Sequence, residues 1–404
     1  MKRVLFLTSS YPSSANPVNG IFIADLAKAV AQTTPVSVIA PALPGVPLRE
    51  EHDGVRVYRF PQSWFGVSLA GEPGGMLPAL KRHKWLLFFL PLFCWSALRL
   101  LHQVVRQEKI EVIHAHWVIP MGVLTALYKS TMHKPLRLII TCHGSDLMKV
   151  SGWLMGRVKA FALRRADLVT MVSPAMPKKL IEIGCTTSTK IAPMGIDCER
   201  FCPEAPGANE IRRRNRIPAE ARLLLFVGSL IELKGIRALV SAMPEILRQT
   251  PDAHLLLAGG GELTGAMGVL AEELQVSERV HFAGSVPHEQ LPAYFAAADL
   301  FLLPSFSEGM PMVMMEALAT GLPIVLSQLP GVMLLPDAER LFSYCEAGNS
   351  ASIAAAVAEA LKRDSAEQRA FARNYAICYF ALSEVAERYL RCYFPKRQYY
   401  EIEP

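Results

Sequence analysis

Short apolar runs of β character alternate with stretches of helical periodicity along nearly the whole chain, and they do so in two series separated by a polar gap. The first series opens at "RVLFLTS" and continues through "VSVIAP", "VIHAHW", "LRLIITCHG" and "DLVTMVS". The second runs "RLLLFVGS", "HLLLAGGG", "RVHFAGSV", "DLFLLPS" and "LPIVLSQ". Runs that are apolar throughout, each followed by a helical pattern, describe strands buried on both faces, which is the signature of a parallel, doubly wound sheet. A chain of 404 residues, 51% hydrophobic, exceeds one ordinary core and suffices for two. The gap, "CERFCPEAPGANEIRRRNRIPAEA", is rich in Pro and Arg and places the boundary between Asp197 and Arg222. The predicted class is therefore α/β, with two Rossmann-like domains facing across a cleft. Residues 1–200 form the first domain, 201–221 a linker and 222–380 the second. In residues 381–404, "SEVAERYLRCYF" puts Val385, Tyr389, Leu390 and Tyr393 near helical spacing. That helix suits packing on the second sheet and a crossover to the first domain equally well.

The charge balance of 42 basic against 36 acidic residues, net +6, does not mark a wholesale polyanion binder, so no nucleic acid is expected as partner. Eight cysteines lie scattered without a C-x-x-C pair, which fits reduced thiols and a cytoplasmic location. The start, "MKRVLFLTSSYP", carries a four-residue apolar run, shorter than a signal peptide needs, and reads as unprocessed. One segment stands apart. "KRHKWLLFFLPLFCWSALRLL" holds an apolar run over 85–97, broken only by Ser96 and containing Pro91. A membrane span wants about 20 apolar residues, so a transmembrane helix is not expected. Two readings remain: a buried hairpin of core structure, or a contact with the cytoplasmic membrane face. In the second, Trp85, Phe88, Phe89 and Trp95 dip below a collar of Lys81, Arg82, His83 and Lys84.

Residues 305–325, "SFSEGMPMVMMEALATGLPIV", carry Glu308 and Glu316 on one loop and helix. Pro311 is expected at the first helical position, where its missing N–H costs nothing, and Gly321 at the end. Free N–H groups at Gly309 and Met310, with the positive end of the helix dipole, suit an anion such as a phosphate. Gly309 lets a ligand approach the backbone. The two carboxylates then bracket the anion and contact different parts of one ligand: ribose hydroxyls for Glu316, sugar hydroxyls for Glu308. Two surface glutamates near a helix N-terminus would look the same.

The stretch "SEGMPMVMMEALATGLPIV" resembles the E-x7-E motif of the retaining group 1 glycosyltransferases, glycosyltransferase family 4, which have the GT-B fold. Similar to that family too are "YPSSANPVNGIFIADLAKAV", "VIHAHWVIPMG", "TCHGSDL", "ADLVTMVSPAM", "PMGIDCERF", "FVGSLIELKG", "LLLAGGGE" and "VHFAGSVPHEQLPAYFAAADLFLLPS", in the family's order over nearly the whole chain. The resemblance implies transfer of a sugar from a nucleoside diphosphate sugar to a hydroxyl acceptor. It makes Glu316 the ligand of the ribose, Glu308 a contact of the donor sugar and Lys234 a ligand of the diphosphate. His143 would lie beside the transferred sugar, so catalytic work falls to Glu308 and His143. Gly309, Met310, Pro311 and Ser229 fall on the donor side, and Gly20, in the loop after the first strand, on the cleft and acceptor side. Many members carry arginine where this chain has Ser229, which leaves the Arg237 side chain as a substitute or donor binding weaker. Met194 stands where asparagine is common.

His114 and His116 alternate on one strand face and could present two nitrogens to a metal, but packing and hydrogen bonding near the cleft is the expected role. No D-x-D triplet occurs, so no metal and no further cofactor is expected, with Lys234 and helix N–H groups serving the diphosphate. The expected acceptor is a saccharide or lipid-linked saccharide, as in cell-surface polysaccharide or glycolipid assembly. Two other classes remain: a non-catalytic partner subunit of a glycosylation complex, and another GT-B enzyme such as a nucleotide-sugar epimerase.

Overall fold

The computed structural model describes residues 2–16, 19–64, 67–69, 80, 83–132, 135–148 and 152–395. It divides into two compact units, Met1–Gly195 with Leu382–Pro404, and Ile196–Ala381.

The first unit is built on strands β1 (Val4–Leu7), β2 (Val36–Pro41), β3 (Arg49–His52), β4 (Val55–Phe60), β5 (Val112–His116), β6 (Arg137–Cys142), β7 (Leu168–Met171) and β8 (Thr189–Ile191). They lie in the order β8-β7-β6-β5-β1-β2-β4-β3, parallel except for β3, which pairs antiparallel with β4 at the edge. The central strands β1, β2 and β5 are buried at every residue, as their unbroken apolar runs require. Five helices of this unit matter below: α1 (Ile21–Ala31), α2 (Leu90–Gln107), α3 (Val123–Thr131), α4 (Trp153–Arg165) and α5 (Pro177–Ile183). Helix α2 packs on α3, α3 on α4 and α4 on α5, so these four make one layer. Helix α1 packs instead on the C-terminal helix Leu382–Tyr393. That helix therefore belongs to the first unit, and its Val385, Tyr389 and Tyr393 are fully buried there.

The second unit carries β9 (Arg222–Val227), β10 (Ala253–Ala258), β11 (Val280–Gly284), β12 (Leu300–Leu303), β13 (Ile324–Ser327) and β14 (Phe342–Cys345) in the order β11-β10-β9-β12-β13-β14, all parallel. The expected linker at 201–221 is not a linker. Phe201, Ile211 and Ile217 are buried in the second core, and residues Ala208–Arg214 form a helix, α6. One guanidinium explains why this polar stretch is ordered: Arg212 donates to the Ala297 carbonyl at 3.0 Å, the Ala221 carbonyl at 2.8 Å and the Asp299 carboxylate at 2.8 Å. The second unit thus starts at Ile196, earlier than the sequence reading placed it.

The apolar segment forms no hairpin. A 3-10 turn over Lys84–Phe89 runs straight into α2. Among the described residues one helix, Lys84–Gln107, is long and apolar enough to cross a membrane, longer than the run seen in the sequence. Its inner side is core of the first unit: Phe93 is fully buried with its ring centroid 5.0 Å from that of Phe60, and Ala97, Leu101 and Val104 follow at helical spacing. Its outer side is exposed and includes Trp85, Phe88 and Trp95, while Lys81 and Arg82 of the expected collar lie outside the described residues.

Candidate active site

In the second unit the chain leaves β12 at Leu303, runs through a loop and enters helix α7 (Met312–Ala319). Pro311 is the N-cap, with extended φ −72° and ψ 123°, one position before the first helical residue where the sequence reading had put it. Proline there still wastes no N–H that the helix would use. The helix ends in a Schellman arrangement, with Leu322 N–H donating to the Ala317 carbonyl and Gly321 N–H to that of Leu318. A stop at both ends and burial of Met314, Met315 and Leu318 hold α7 in one rotation about its axis. That rotation turns Glu316 inward.

Glu316 is only 3% exposed. Its Oε1 accepts from His288 Nε2 at 2.9 Å, and its Oε2 is buried with no hydrogen-bond partner among the described residues. A carboxyl oxygen held out of water without a partner is costly, on the order of 1–3 kcal/mol. Such an oxygen is what a ligand hydroxyl would satisfy. His288 packs beside Phe201, with ring centroids 5.6 Å apart.

Glu308 lies in the loop before α7 and forms an ion pair with Lys234. Lys234 ends a 3-10 turn, Glu232–Lys234, which follows β9, and Gly235 after it has φ +70°. A Cβ at Gly235 would overlap the Pro304 carbonyl. Only glycine lets the turn after β9 press against the end of β12, and this approach brings Lys234 to Glu308. Ser229 is exposed in the same loop. Arg237, considered as a substitute cation, is held at the surface by Glu232 at 3.0 Å. Gly309, Met310 and Pro311 line the entry to α7 as expected from their order in the chain. The two carboxylates do not touch; each has its own cationic or imidazole partner.

In the first unit, β5 brings His114 and His116 to one face, both fully buried, and His143 follows the last residue of β6. Tyr393 from the C-terminal helix lies 2.7 Å from His114 Nδ1, and Thr141 Oγ1 lies 2.5 Å from its Nε2. His116 Nδ1 stands 3.1 Å from His143 Nε2, and His116 Nε2 is buried without a partner. Burial lowers the pKa of His114 and of His143 to about 3, and burial with the two neighbouring imidazoles takes that of His116 well below its ordinary value. All three rings are neutral at pH 7. An orphaned buried N–H is rarer and costlier than an orphaned acceptor, so the proton of His116 belongs on Nδ1, donated to His143. His143 then carries its own proton on Nδ1. Three of the four ring nitrogens of His114 and His116 are engaged in this way, and no group of three or more metal-ligating side chains occurs among the described residues.

Asp146 fixes the loop that presents His143. It is 2% exposed and accepts from the N–H groups of Val118 at 2.8 Å, Leu147 at 3.1 Å and His143 at 3.2 Å. Burial raises its pKa, and backbone donors, the N–H of Val118 first among them and that of His143 also, oppose the rise. Trp117 covers the imidazole of His143, with ring centroids 4.7 Å apart. Gly20 precedes α1 with φ +72°, and a Cβ there would overlap the Ser10 carbonyl. The packing of its own loop therefore requires glycine at this position, whatever ligand comes near.

The sequence reading singled out Glu308, Glu316, Lys234 and His143 but missed the groups that hold them: His288, Asp146 and Trp117. Asp146 had a local signal, since an aspartate three residues after a strand-end histidine can cap its N–H. His288 had none, because it reaches Glu316 across 28 residues of chain.

Comparison with known proteins bears on this arrangement. Residues 207–377 match the family described as glycosyl transferases group 1, and residues 20–200 match glycosyltransferase family 4. TuaC of Bacillus subtilis (strain 168), which carries the name of a teichuronic acid biosynthesis glycosyltransferase, is 30% identical over 82% of this chain and 82% of its own. The chain belongs to the group 1 glycosyltransferases. This glycosyltransferase is also similar to a GDP-mannose-dependent alpha-(1-6)-phosphatidylinositol monomannoside mannosyltransferase of Mycolicibacterium smegmatis, at 30% identity over 57% of this chain and 61% of that one. Its GT-B fold is shared with the sucrose-phosphate synthase of Thermosynechococcus elongatus, at a TM-score of 0.77 and 21% identity over 97% of this chain and 98% of that one.

Proposed function

We propose that this glycosyltransferase moves a sugar, with retention of anomeric configuration, from a nucleoside diphosphate sugar to a hydroxyl acceptor in cell-surface polysaccharide or glycolipid assembly. The observation that carries the donor half is the buried, unpartnered Oε2 of Glu316, on the helix that follows the loop of the Lys234–Glu308 pair. A ribose offers two adjacent hydroxyls, and one carboxylate oxygen already committed to His288 leaves the other to accept from them. Lys234 moves its ammonium from Glu308 to the diphosphate, where negative charge builds as the bond to the sugar breaks. Glu308, released from Lys234, accepts from hydroxyls of the donor sugar. The N–H groups at Gly309 and Met310, with the positive end of α7, add neutralisation for the same phosphates.

Retention then needs no side-chain nucleophile. The diphosphate leaves, an oxocarbenium-like ion forms, and the acceptor hydroxyl attacks on the face the diphosphate vacated while a phosphate oxygen takes its proton. Positioning and leaving-group stabilisation supply the rate. Glu308 and Glu316 have partners of their own, which differs from the paired acid and nucleophile of glycoside hydrolases. His143, neutral and protonated on Nδ1, contributes a donor hydrogen bond to the sugar or a phosphate oxygen instead of general-base chemistry. The residues on the donor side supply cationic and N–H contacts to the diphosphate, so the proposal involves no metal.

The relatives support the acceptor class. One is named for teichuronic acid biosynthesis and another for a phosphatidylinositol mannoside acceptor. The exposed Trp85, Phe88 and Trp95 of the first unit suit a lipid-linked acceptor at the cytoplasmic membrane face. The experiment is a screen of nucleotide sugars that follows thermal stability and release of free nucleoside diphosphate. Selective stabilisation by one donor names the sugar, since a ligand of the folded state raises stability by mass action. No stabilisation by any donor would overturn the proposal in favour of a partner subunit.

A further inference from the structure

The helix layer of the first unit carries a second aromatic and basic cluster, separate from the one on α2. Along α4 the residues Trp153, Arg157, Phe161 and Arg164 recur at i, i+4, i+8 and i+11, one face of a helix, while Lys159, Ala162 and Leu163 turn inward. Trp153 is 76% exposed and its neighbour Leu154 62%. The Arg157 guanidinium lies 5.1 Å from the Trp153 ring centroid, and that of Arg165 lies 4.5 Å from Phe161. The start of α2, with the 3-10 turn that leads into it, has the same make-up: Phe88 of the turn and Trp95 of the helix are exposed, and Arg99 lies 5.5 Å from the ring of Trp95.

Topology puts the starts of the two helices, with Trp153, Arg157 and Phe88, on one edge, while Arg164 and Arg165 lie at the far end of α4. Helix α2 leads back into β5 and α4 into β7, so each runs antiparallel to the strands and begins beyond their carboxyl ends. His143 and Gly20, in the loops after β6 and β1, mark the same edge. With α3 packed between α2 and α4, the clusters stand roughly 16–20 Å apart, two helix spacings. Acidic groups near them are already engaged: Asp167 by Lys129 at 2.6 Å and Glu182 by Lys179 at 2.9 Å. A groove of about 820 Å³ between α4 and α5 is lined on the α4 side by Trp153, Arg157, Phe161, Arg164 and Arg165 and on the α5 side by Glu182 and Ile183.

We infer that this layer is a docking face for an anionic phospholipid bilayer, touching it at two points, the start of α2 and the start of α4 with the α4–α5 groove. Small aromatic tips separated by a helix width and flanked by arginines suit a fluid, planar, negatively charged surface. The inference builds on the proposed lipid-linked acceptor and adds the second contact: the face would hold the edge that carries His143 against the layer from which such an acceptor presents its hydroxyl.

The test is co-sedimentation of the full chain with vesicles of phosphatidylcholine alone and of phosphatidylcholine mixed equally with phosphatidylglycerol. The wild type is expected on the mixed vesicles only, with binding that weakens as salt rises. Two lipid-facing arginines at about 5-fold each in partitioning make R157S/R165S roughly 25-fold weaker. W153A and the separate W85A/F88A variant should each weaken binding too. These side chains are exposed, and circular dichroism checks that each variant keeps its fold. No wild-type binding to the mixed vesicles overturns the inference, as does equal binding to neutral vesicles. So does an R157S/R165S variant that binds like wild type while W85A/F88A does not, since α4 would then lie off the face. Inhibition by inorganic phosphate at constant ionic strength would reassign the arginines to free phosphate, and persistence of binding supports the bilayer. The assay contains no nucleotide sugar, so a failed donor screen with intact vesicle binding removes the transferase mechanism and leaves the docking face.

Discussion

Acidification should destabilise the first unit, because His114 and His116 are fully buried and neutral. Their folded pKa values are depressed, to about 3 for His114 and well below the ordinary value for His116. In the unfolded chain both take up protons near pH 6.5, so below that pH the unfolded state binds more protons and stability falls as pH falls. The stabilising effect of neutrality is fully present above pH 6.5 and is lost through the window down to the folded pKa. At pH 5 His114 has lost about 2 kcal/mol, from 1.5 pH units at about 1.36 kcal/mol each, and His116 adds to the loss in the same direction. Against a typical total of about 5–15 kcal/mol this is a large share. Urea unfolding at pH 7 and pH 5, followed by tryptophan fluorescence, isolates the unit, because all five tryptophans, at 64, 85, 95, 117 and 153, lie in it. The variant H114Q will be less stable at both pH values, but its pH-dependent loss should shrink by about 2 kcal/mol. A wild type equally stable at both pH values would refute the reasoning, and so would a variant that keeps the whole loss.

Three further outcomes follow from the site geometry. In K234M the pair with Glu308 is gone, yet stability should change by less than about 1 kcal/mol because both side chains are partly exposed. Its kcat/KM should fall about 100-fold or more through loss of charge at the diphosphate, and steady-state kinetics beside a melting curve checks both. G20A places a Cβ on the Ser10 carbonyl at φ +72° and should cost about 1–3 kcal/mol, read as a lowered urea midpoint in tryptophan fluorescence. Nitrogen-15 NMR of the histidine rings should find His143 protonated on Nδ1, and H116F should free its Nε2 and abolish that preference; a wild type protonated on Nε2 would contradict the hydrogen-bond assignment.

Much of this architecture could be read from alternation alone. Runs such as "VLFL" and "HLLLA" are buried on both faces in the centre of parallel sheets, and uniform apolarity has no other use there. The stretch at 201–221 misled because Pro and Arg look like linker composition. A single arginine bonded to carbonyls at 221 and 297 turns it into part of a core, and that is a contact no local window contains. The segment after Lys84 misled in a similar way: a helix with one buried side and one exposed aromatic side has nearly the same composition as a buried one. At the candidate site, Glu308, Glu316, Lys234 and His143 stand out in the sequence through spacing and motif. His288, Tyr393 and His116 act on their partners across the sheet, so their roles emerge only from the fold. The tautomer of His143 is a consequence of such a contact.

The claim that Glu316 holds the nucleotide while Glu308 serves the reacting sugar is tested most directly by one kinetic comparison: release of nucleoside diphosphate as a function of donor concentration for wild type, E308A and E316A. Loss of one or two hydrogen bonds to a charged group, about 1.5–3 kcal/mol each, should raise KM for E316A by about 10-fold or more with kcat less affected. E308A should lose kcat with KM little altered. Unchanged constants in both variants would contradict the account.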